Sequence, residues 1–253
     1  VKRYHHLHSL LDDMIGTVTK FAMQSPIDAE YIIRLGANPN LVIVTGNTKF
    51  DQTYTDVSPE EKDRLLGEMG LLENDGIFLA GSTHRGEEEP VLQAFRALRE
   101  ERPNAKLVIA PRELLRTREV TAICHRAGWK VARRTELMEH PATDHDVVIL
   151  DTIGELGQVY SVGDVIYVGG SLISHGGHNI LEPAAHGKAI IVGYNMFNFK
   201  ETHALFTKRS AVITVQTSGD LAKAVVRLFT DEAERRRMER ETFAICQENK
   251  GAA

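Results

Sequence analysis

The chain has 253 residues, 42% of them hydrophobic and 26% charged, with a formal net charge of −5. These proportions belong to a globular protein and exclude disordered and fibrous classes; the length suits one large or two small domains. The acidic balance argues against a nucleic-acid partner, so any phosphate site has to be built from local donors rather than a global basic field. Cys124 and Cys246 lie far apart, which suits a reducing compartment and argues against a disulfide framework or a cysteine-based zinc site.

The opening VKRYHHLHSLLDDM lacks an initiator Met and the apolar core of a signal peptide, and reads as the interior of a longer protein. The ending QENKGAA stops just after a helical pattern. No apolar run is long enough for a membrane-spanning helix. Residues 1–50 read as a separate piece: a helix, a strand near KFAMQ, a helix and the run LVIVTG at 41–46. They are expected to be the tail of one domain, with 51–253 forming another. The stretch DQTYTDVSPEE reads as a linker leading to a capped helix start on Ser58, Pro59 and Glu61.

From there short apolar runs alternate with amphipathic ones. The strand candidates are IFLAG (77–81), KLVIAP (106–111), WKVARR (129–134), VVILD (147–151), DVIYVGG (164–170), AIIVG (189–193) and AVITV (211–215). Most are continuous rather than alternating, the pattern of strands buried on both faces of a parallel sheet. Val91, Leu92, Phe95 and Leu98 mark one helical face, and Leu221, Val225 and Leu228 another. Residues 230–248, with RRRMER, read as a charged, solvated terminal helix. The alternation predicts a Rossmann-like, doubly wound α/β fold.

Ligands of such sheets sit at the carboxyl ends of the strands, so the turns there carry the chemistry. In AGSTHRGEEEP (80–90), Ser82 and Thr83 could face a phosphate; equally, Glu87, Glu88 and Glu89 could simply complement a helix dipole. Glu87 stands where a P-loop needs Lys, so that motif is excluded. In IAPRE, Arg112 follows a buried strand and could grip a phosphate bidentately or make a surface ion pair. In LDTIGELG, Thr152, Ile153, Gly154 and Glu155 form a turn whose backbone could read a base edge, or a plain loop. The strongest segment is YVGGSLISHGGHNILEPAAHG, where two glycine pairs imply close backbone approach and the turn at Gly177, His178 and Asn179 opens a helix carrying Glu182. A phosphate at the helix start and sugar hydroxyls at Glu182 are the expected guests. No GxGxxG is present, which disfavours a dehydrogenase.

Two metal-like patterns read as structural. Asp144-His145-Asp146 precedes its strand, at the wrong sheet edge for a ligand, and His5, His6 and His8 offer only two residues on a shared helix face. No metal site is expected.

The runs GNTKFD (46–51), AGSTHRGEEE (80–89), APRE (110–113), DTIGEL (151–156) and VGGSLISHGGHNILEPAAHGKAIIVGYNMFNF (168–199), together with QSPIDAEYIIRLGA (24–37), resemble the bacterial 3-deoxy-D-manno-octulosonic acid (Kdo) transferase family. The resemblance runs in order from about residue 20 to the end. It implies the C-terminal, donor-binding domain of a GT-B glycosyltransferase that moves Kdo from CMP-Kdo to a lipid A precursor in lipopolysaccharide synthesis, at the cytoplasmic face of the inner membrane, without cofactor or metal. On that resemblance Arg112 binds the CMP phosphate, and Thr152, Ile153, Gly154 and Glu155 border the cytosine. Gly177, His178 and Asn179 hold the phosphate, Glu182 holds the ribose, and Lys49, Ser82 and Thr83 line the cleft. Glu113 and Leu114 depart from the family's usual His-Pro. The acceptor surface, the membrane contact and the catalytic base are expected in a domain preceding residue 1, leaving this piece inactive alone, with Glu87, Glu88 or Glu89 the fallback candidates for the base. The rival readings are another GT-B nucleotide-sugar enzyme, such as a UDP-sugar epimerase, and a non-catalytic nucleotide-sugar binding module.

Overall fold

The computed structural model describes residues 13–51, 56–72 and 74–251, except for the side chain of Lys49. The chain divides into two compact units, residues 1–53 with 246–253, and residues 54–245. The division falls three residues beyond the expected boundary and assigns the last eight residues to the first unit.

In the first unit, strands β1 (Phe21–Met23) and β2 (Val42–Val44) pair in parallel, joined through helix α1 (Pro26–Arg34). Ser25 caps α1 by accepting from the Asp28 N–H, and Pro26 occupies its first turn.

The second unit opens with α2 (Pro59–Glu68), where Ser58 and Glu61 exchange side-chain and backbone hydrogen bonds in a capping box. Seven strands follow: β3 (Ile77–Thr83), β4 (Lys106–Pro111), β5 (Val131–Arg133), β6 (Val147–Ile149), β7 (Val165–Val168), β8 (Ala189–Gly193) and β9 (Val212–Val215). They form one sheet in the order β5-β6-β4-β3-β7-β8-β9, every neighbouring pair parallel. The chain steps outward from β3 to one side through β4, then returns to the other side at β7. The switch point therefore lies between β3 and β7, where open α/β sheets bind ligands.

Both faces are covered, which is why the strands read as unbroken apolar runs. Phe78, Ala80, Leu107, Ile109, Val165 and Tyr167 face a core built with α3 (Glu88–Glu101) and α9 (Ser218–Thr230), through Phe95, Leu98, Leu221, Val225 and Leu228. The alternate residues Leu79, Val108, Val148, Ile166 and Ile190 are equally buried on the opposite face. Between these lie α4 (Thr117–Arg126), α5 (Arg134–Glu139), α6 (Leu156–Val159), α7 (Leu181–Ala185) and α8 (Lys200–Lys208).

The terminal helix α10 (Glu232–Glu248) is not wholly solvated as expected. Met238, Thr242, Ile245 and Cys246 are buried, a stripe at helical spacing within a highly charged sequence.

Candidate functional site

The carboxyl ends of β3, β4 and β7 converge on one edge, and the turns leaving them are held by different means. At the end of β3, Ser82 adopts a left-handed backbone (φ 55°), and the register with β4 slips between Gly81 and Thr83. Tyr160 packs against this bend: its ring lies against Gly81, where any Cβ would collide with it, and its hydroxyl lies within hydrogen-bonding reach of the Ser82 side chain. Burial first, then the charge of Glu182, holds the Tyr160 phenol well above its ordinary pKa. Ser82 is 8% exposed and Thr83 is fully buried, with its hydroxyl unpartnered. Thr83 therefore does not line an open cleft. Its carbonyl accepts the backbone N–H of Arg112 at 2.9 Å and so positions the Arg112 turn.

Glu87 is the keystone of this edge, and sequence reasoning missed it. Its carboxylate, fully buried, accepts from the backbone N–H of His84 (3.0 Å), the Tyr167 hydroxyl (2.6 Å) and the backbone N–H groups of Gly170 (2.7 Å), Ser171 (3.0 Å) and Leu172 (3.1 Å). The glycine-serine turn after β7 is thus folded around a carboxylate from the protein itself. Ser171 carries the lock to β8, donating to the Val168 carbonyl at 2.6 Å and accepting from the Gly193 N–H at 2.8 Å. Glu88 is also fully buried and pairs with Arg116 at 2.8 Å, while exposed Glu89 lines a groove with Leu92, Gln93 and Ile123 towards α4. None of the three is placed as a base at the edge.

The edge's open side belongs to Arg112, Glu182 and His178. Arg112 is exposed, and its guanidinium makes no hydrogen bond or ion pair among the described residues, yet its charge acts on both His178 and Glu182. Burial raises the Glu182 carboxyl above its usual pKa, against the lowering pull of Asn179 and Arg112. Asn179 Nδ2 reaches Glu182 at 3.4 Å, and Asn179 Oδ1 accepts the N–H of Leu181 at 3.1 Å, which starts α7. His178 is pushed down to about 4, by burial first and then by His84, Arg112 and His175.

Two features of the glycine-rich segment differ from expectation. The Gly177 N–H is spent on the Gly170 carbonyl at 2.8 Å, so it is not a phosphate donor. The glycine pair answers to the protein rather than to a ligand: a Cβ at Gly176 would strike Asn198 and Phe197, and one at Gly177 would strike Met196. Helix α7 has only five residues, which leaves little dipole to offer an anion.

Around β6, Arg134 is buried and bonds both Glu68 (2.6 Å) and Glu155 (3.3 Å), while the Thr152 hydroxyl donates to Glu155. Glu155 is thereby fixed, and the turn presents Ile153, 87% exposed, and Gly154 to open space. Lys49 lies in the short Thr48–Asp51 turn of the first unit, its side chain outside the described residues. Asp144 pairs with Lys130, and Asp146 with Arg99, each at 2.7 Å, so neither carboxylate is held for a metal. His5, His6 and His8 fall outside the described residues. Three histidines that the sequence reading did not group, His84, His175 and His178, bring ligand atoms within 4.8 Å of one another.

Comparison with known proteins gives the same direction. Residues 1–52 match the family model described as 3-deoxy-D-manno-octulosonic-acid transferase (kdotransferase). The chain is 32% identical over 252 residues to 3-deoxy-D-manno-octulosonic acid transferase of Haemophilus influenzae, covering 99% of this chain and 58% of that protein. The chain thus spans little more than half of that relative. Among solved structures, the C-terminal CMP-Kdo binding domain of WaaA from Acinetobacter baumannii is similar with a TM-score of 0.68 and 27% identity, covering 74% of this chain and 97% of that one. Anabaena Alr3699/HepE in complex with UDP-glucose shares the fold alone, with a TM-score of 0.58 and 15% identity over 97% of this chain and 64% of its own.

Proposed function

This chain belongs to the Kdo transferase family, and from that premise we propose that its second unit is the donor half of a GT-B glycosyltransferase moving Kdo from CMP-Kdo to a lipid A precursor in lipopolysaccharide synthesis. The observation that carries the reading is Arg112: an exposed guanidinium with no partner among the described residues, at the carboxyl-end edge of a parallel sheet, beside a carboxyl that burial has made reluctant to ionise. An unpaired Arg suits a phosphate, which its planar fork can grip through two parallel hydrogen bonds.

In the transfer, the bond between the Kdo anomeric carbon and the phosphate oxygen breaks, and CMP leaves as a phosphate monoester. Negative charge grows on that phosphate, and Arg112 is placed to meet it with donors that need no rearrangement. Glu182, whose carboxyl burial raises above its usual pKa, accepts hydrogen bonds from ribose hydroxyls. The Ile153–Gly154 turn offers an apolar, open shelf for a base. Glu87 and Glu88 are committed internally, so the base that deprotonates the acceptor hydroxyl comes from the part of the enzyme that this chain does not span, as do the acceptor surface and the membrane contact. Among the described residues, no helix is long and apolar enough to cross a membrane.

A calorimetric titration with CMP, UMP and UDP tests the reading. CMP binding at least about tenfold tighter than either uridine nucleotide is expected, a margin of about 1.4 kcal/mol. Preference for UDP points instead to a UDP-sugar enzyme, and binding of none points to a non-catalytic module.

A further inference from the structure

The loops after β3 and β7 are joined at the sheet edge by a pair of imidazoles. His84 leaves β3, and His178 lies in the loop after β7. Their Nε2 atoms are 2.7 Å apart, and the rings lie within 2° of parallel with centroids 5.0 Å apart. With the nitrogens that close, this centroid distance leaves no room for one ring over the other, so they meet edge to edge on a single N–H···N hydrogen bond. The His175 ring packs 3.9 Å from that of His84. Gly170 makes room for the loop: a Cβ there would sit 3.0 Å from His178 and 3.3 Å from His175. Glu87 holds the arrangement from beneath, accepting the backbone N–H groups of both His84 and Gly170.

We propose that His84 is a positioning residue for His178: it donates its Nε2–H to His178 Nε2, which places the His178 proton on Nδ1 and makes that ring a hydrogen-bond donor to the phosphate of the bound nucleotide. A neutral imidazole has one donor nitrogen and one acceptor nitrogen, so the bond made at Nε2 decides what Nδ1 offers. If the shared proton belonged to His178 instead, its Nδ1 would be a lone pair and would repel a phosphate oxygen. The polarity of one hydrogen bond thus sets whether the loop after β7 welcomes an anion.

The surrounding charges settle that polarity. At His84, burial and His175 disfavour an added proton and Arg116 does so weakly, but Glu87 and Glu113 attract one. At His178 every neighbour repels one: burial first, then His84, Arg112 and His175, which together hold its pKa down to about 4. The proton between the rings therefore belongs to His84, and His178 remains neutral. A neutral N–H can stand near Arg112 without the repulsion a second cation would bring, so the two donors can share one phosphate. The inference rests on the donor reading, since it is the phosphate beside Arg112 that His178 would meet.

The test reads the tautomer directly and then its consequence. In ¹⁵N-labelled wild-type chain, with the His178 signals identified by their loss in His178→Gln, NMR should show the His178 proton on Nδ1, both empty and with CMP. A proton on Nε2 overturns the proposal without any variant of His84 being needed. His84→Phe fills the space but gives no N–H, and should weaken CMP binding about three- to tenfold, the worth of one hydrogen bond. His84→Gln can still donate to His178 Nε2 and should recover most of that loss, which a purely structural role for His84 would not produce. Melting curves confirm that each variant is folded. CMP affinity that falls in Arg112→Ala but is unchanged in His84→Phe leaves the donor reading standing and overturns the role of the pair. Absence of CMP binding by the wild-type chain overturns the donor reading and this role with it.

Discussion

Two patches of the same sheet edge treat their polar groups in opposite ways. Around Glu87 every oxygen is used: a single buried carboxylate gathers backbone donors from two loops and a tyrosine hydroxyl. A short distance along the edge, Arg112 has no partner among the described residues, and Glu182 is held near a weak amide contact at 3.4 Å. The difference teaches where a ligand belongs. A satisfied cluster is architecture, because a guest would have to displace good hydrogen bonds. An unsatisfied group that the fold nevertheless holds in place is waiting for a partner from outside.

The largest effect should come from attacking the satisfied patch. Glu87→Ala leaves the N–H groups of Gly170, Ser171 and Leu172 and the Tyr167 hydroxyl without their acceptor. The expected loss is about 3–4 kcal/mol in chemical denaturation, or failure to fold, given about 1–3 kcal/mol for each polar group stranded in the interior. A loss below about 1 kcal/mol would show that water replaces the carboxylate easily, and the contrast between the two patches would collapse.

Arg112→Ala probes the other patch. It should weaken CMP binding by about 1.5–3 kcal/mol, the range for a hydrogen bond to a charged group, while stability changes by no more than about 0.5 kcal/mol. Arg112→Lys should recover part of the affinity, because a point charge remains but the fork is lost. Equal affinity in wild type and the alanine variant removes Arg112 from the site.

Lys188 sharpens the comparison, being poorly satisfied at the opposite, amino-terminal edge of β8. Burial, then Lys62, pulls its pKa from 10.5 down to about 8, with Asp164 and Glu239 opposing. A lowered folded-state value means the unfolded chain holds the proton more tightly. The charged amine therefore costs stability fully below pH 8, less between 8 and 10.5, and nothing above. Lys188→Met should gain about 1–3 kcal/mol at pH 7 and lose that gain as pH rises through the window, read from melting curves. No change in CMP affinity is expected. A gain independent of pH would assign the effect to packing instead.

The smallest change belongs to Ile153→Ala. Stability should hold within about 0.5 kcal/mol, as for other surface substitutions, and CMP affinity should fall by less than about 1 kcal/mol. A larger affinity loss would make the Ile153 shelf, rather than Arg112, the main determinant.

What the sequence made legible follows from the range of each interaction. Strands buried on both faces announce themselves locally, so β3, β4, β7 and β8 were readable as apolar runs, and the Ser58 capping box spans only three residues. Arg112 was readable too, as a charged residue directly after a buried strand. Glu87 was not, because three consecutive glutamates look like a helix dipole's complement until β7 is laid beside β3, some 83 residues away. A similar separation hid the histidine cluster, in which His84 lies 94 residues from His178. The glycine pair at 176 and 177 was correctly read as close approach, but the approaching atoms belong to Met196, Phe197 and Asn198.

The central claim is that the unsatisfied patch receives the phosphate of a cytidine nucleotide, and a crystal structure of this chain grown with CMP tests it most directly. The account predicts the phosphate within hydrogen-bonding distance of the Arg112 guanidinium, a ribose hydroxyl on Glu182, and Glu87 still bonded to Gly170, Ser171 and Leu172. CMP bound with its phosphate elsewhere, or Glu87 released to meet the ligand, would contradict it.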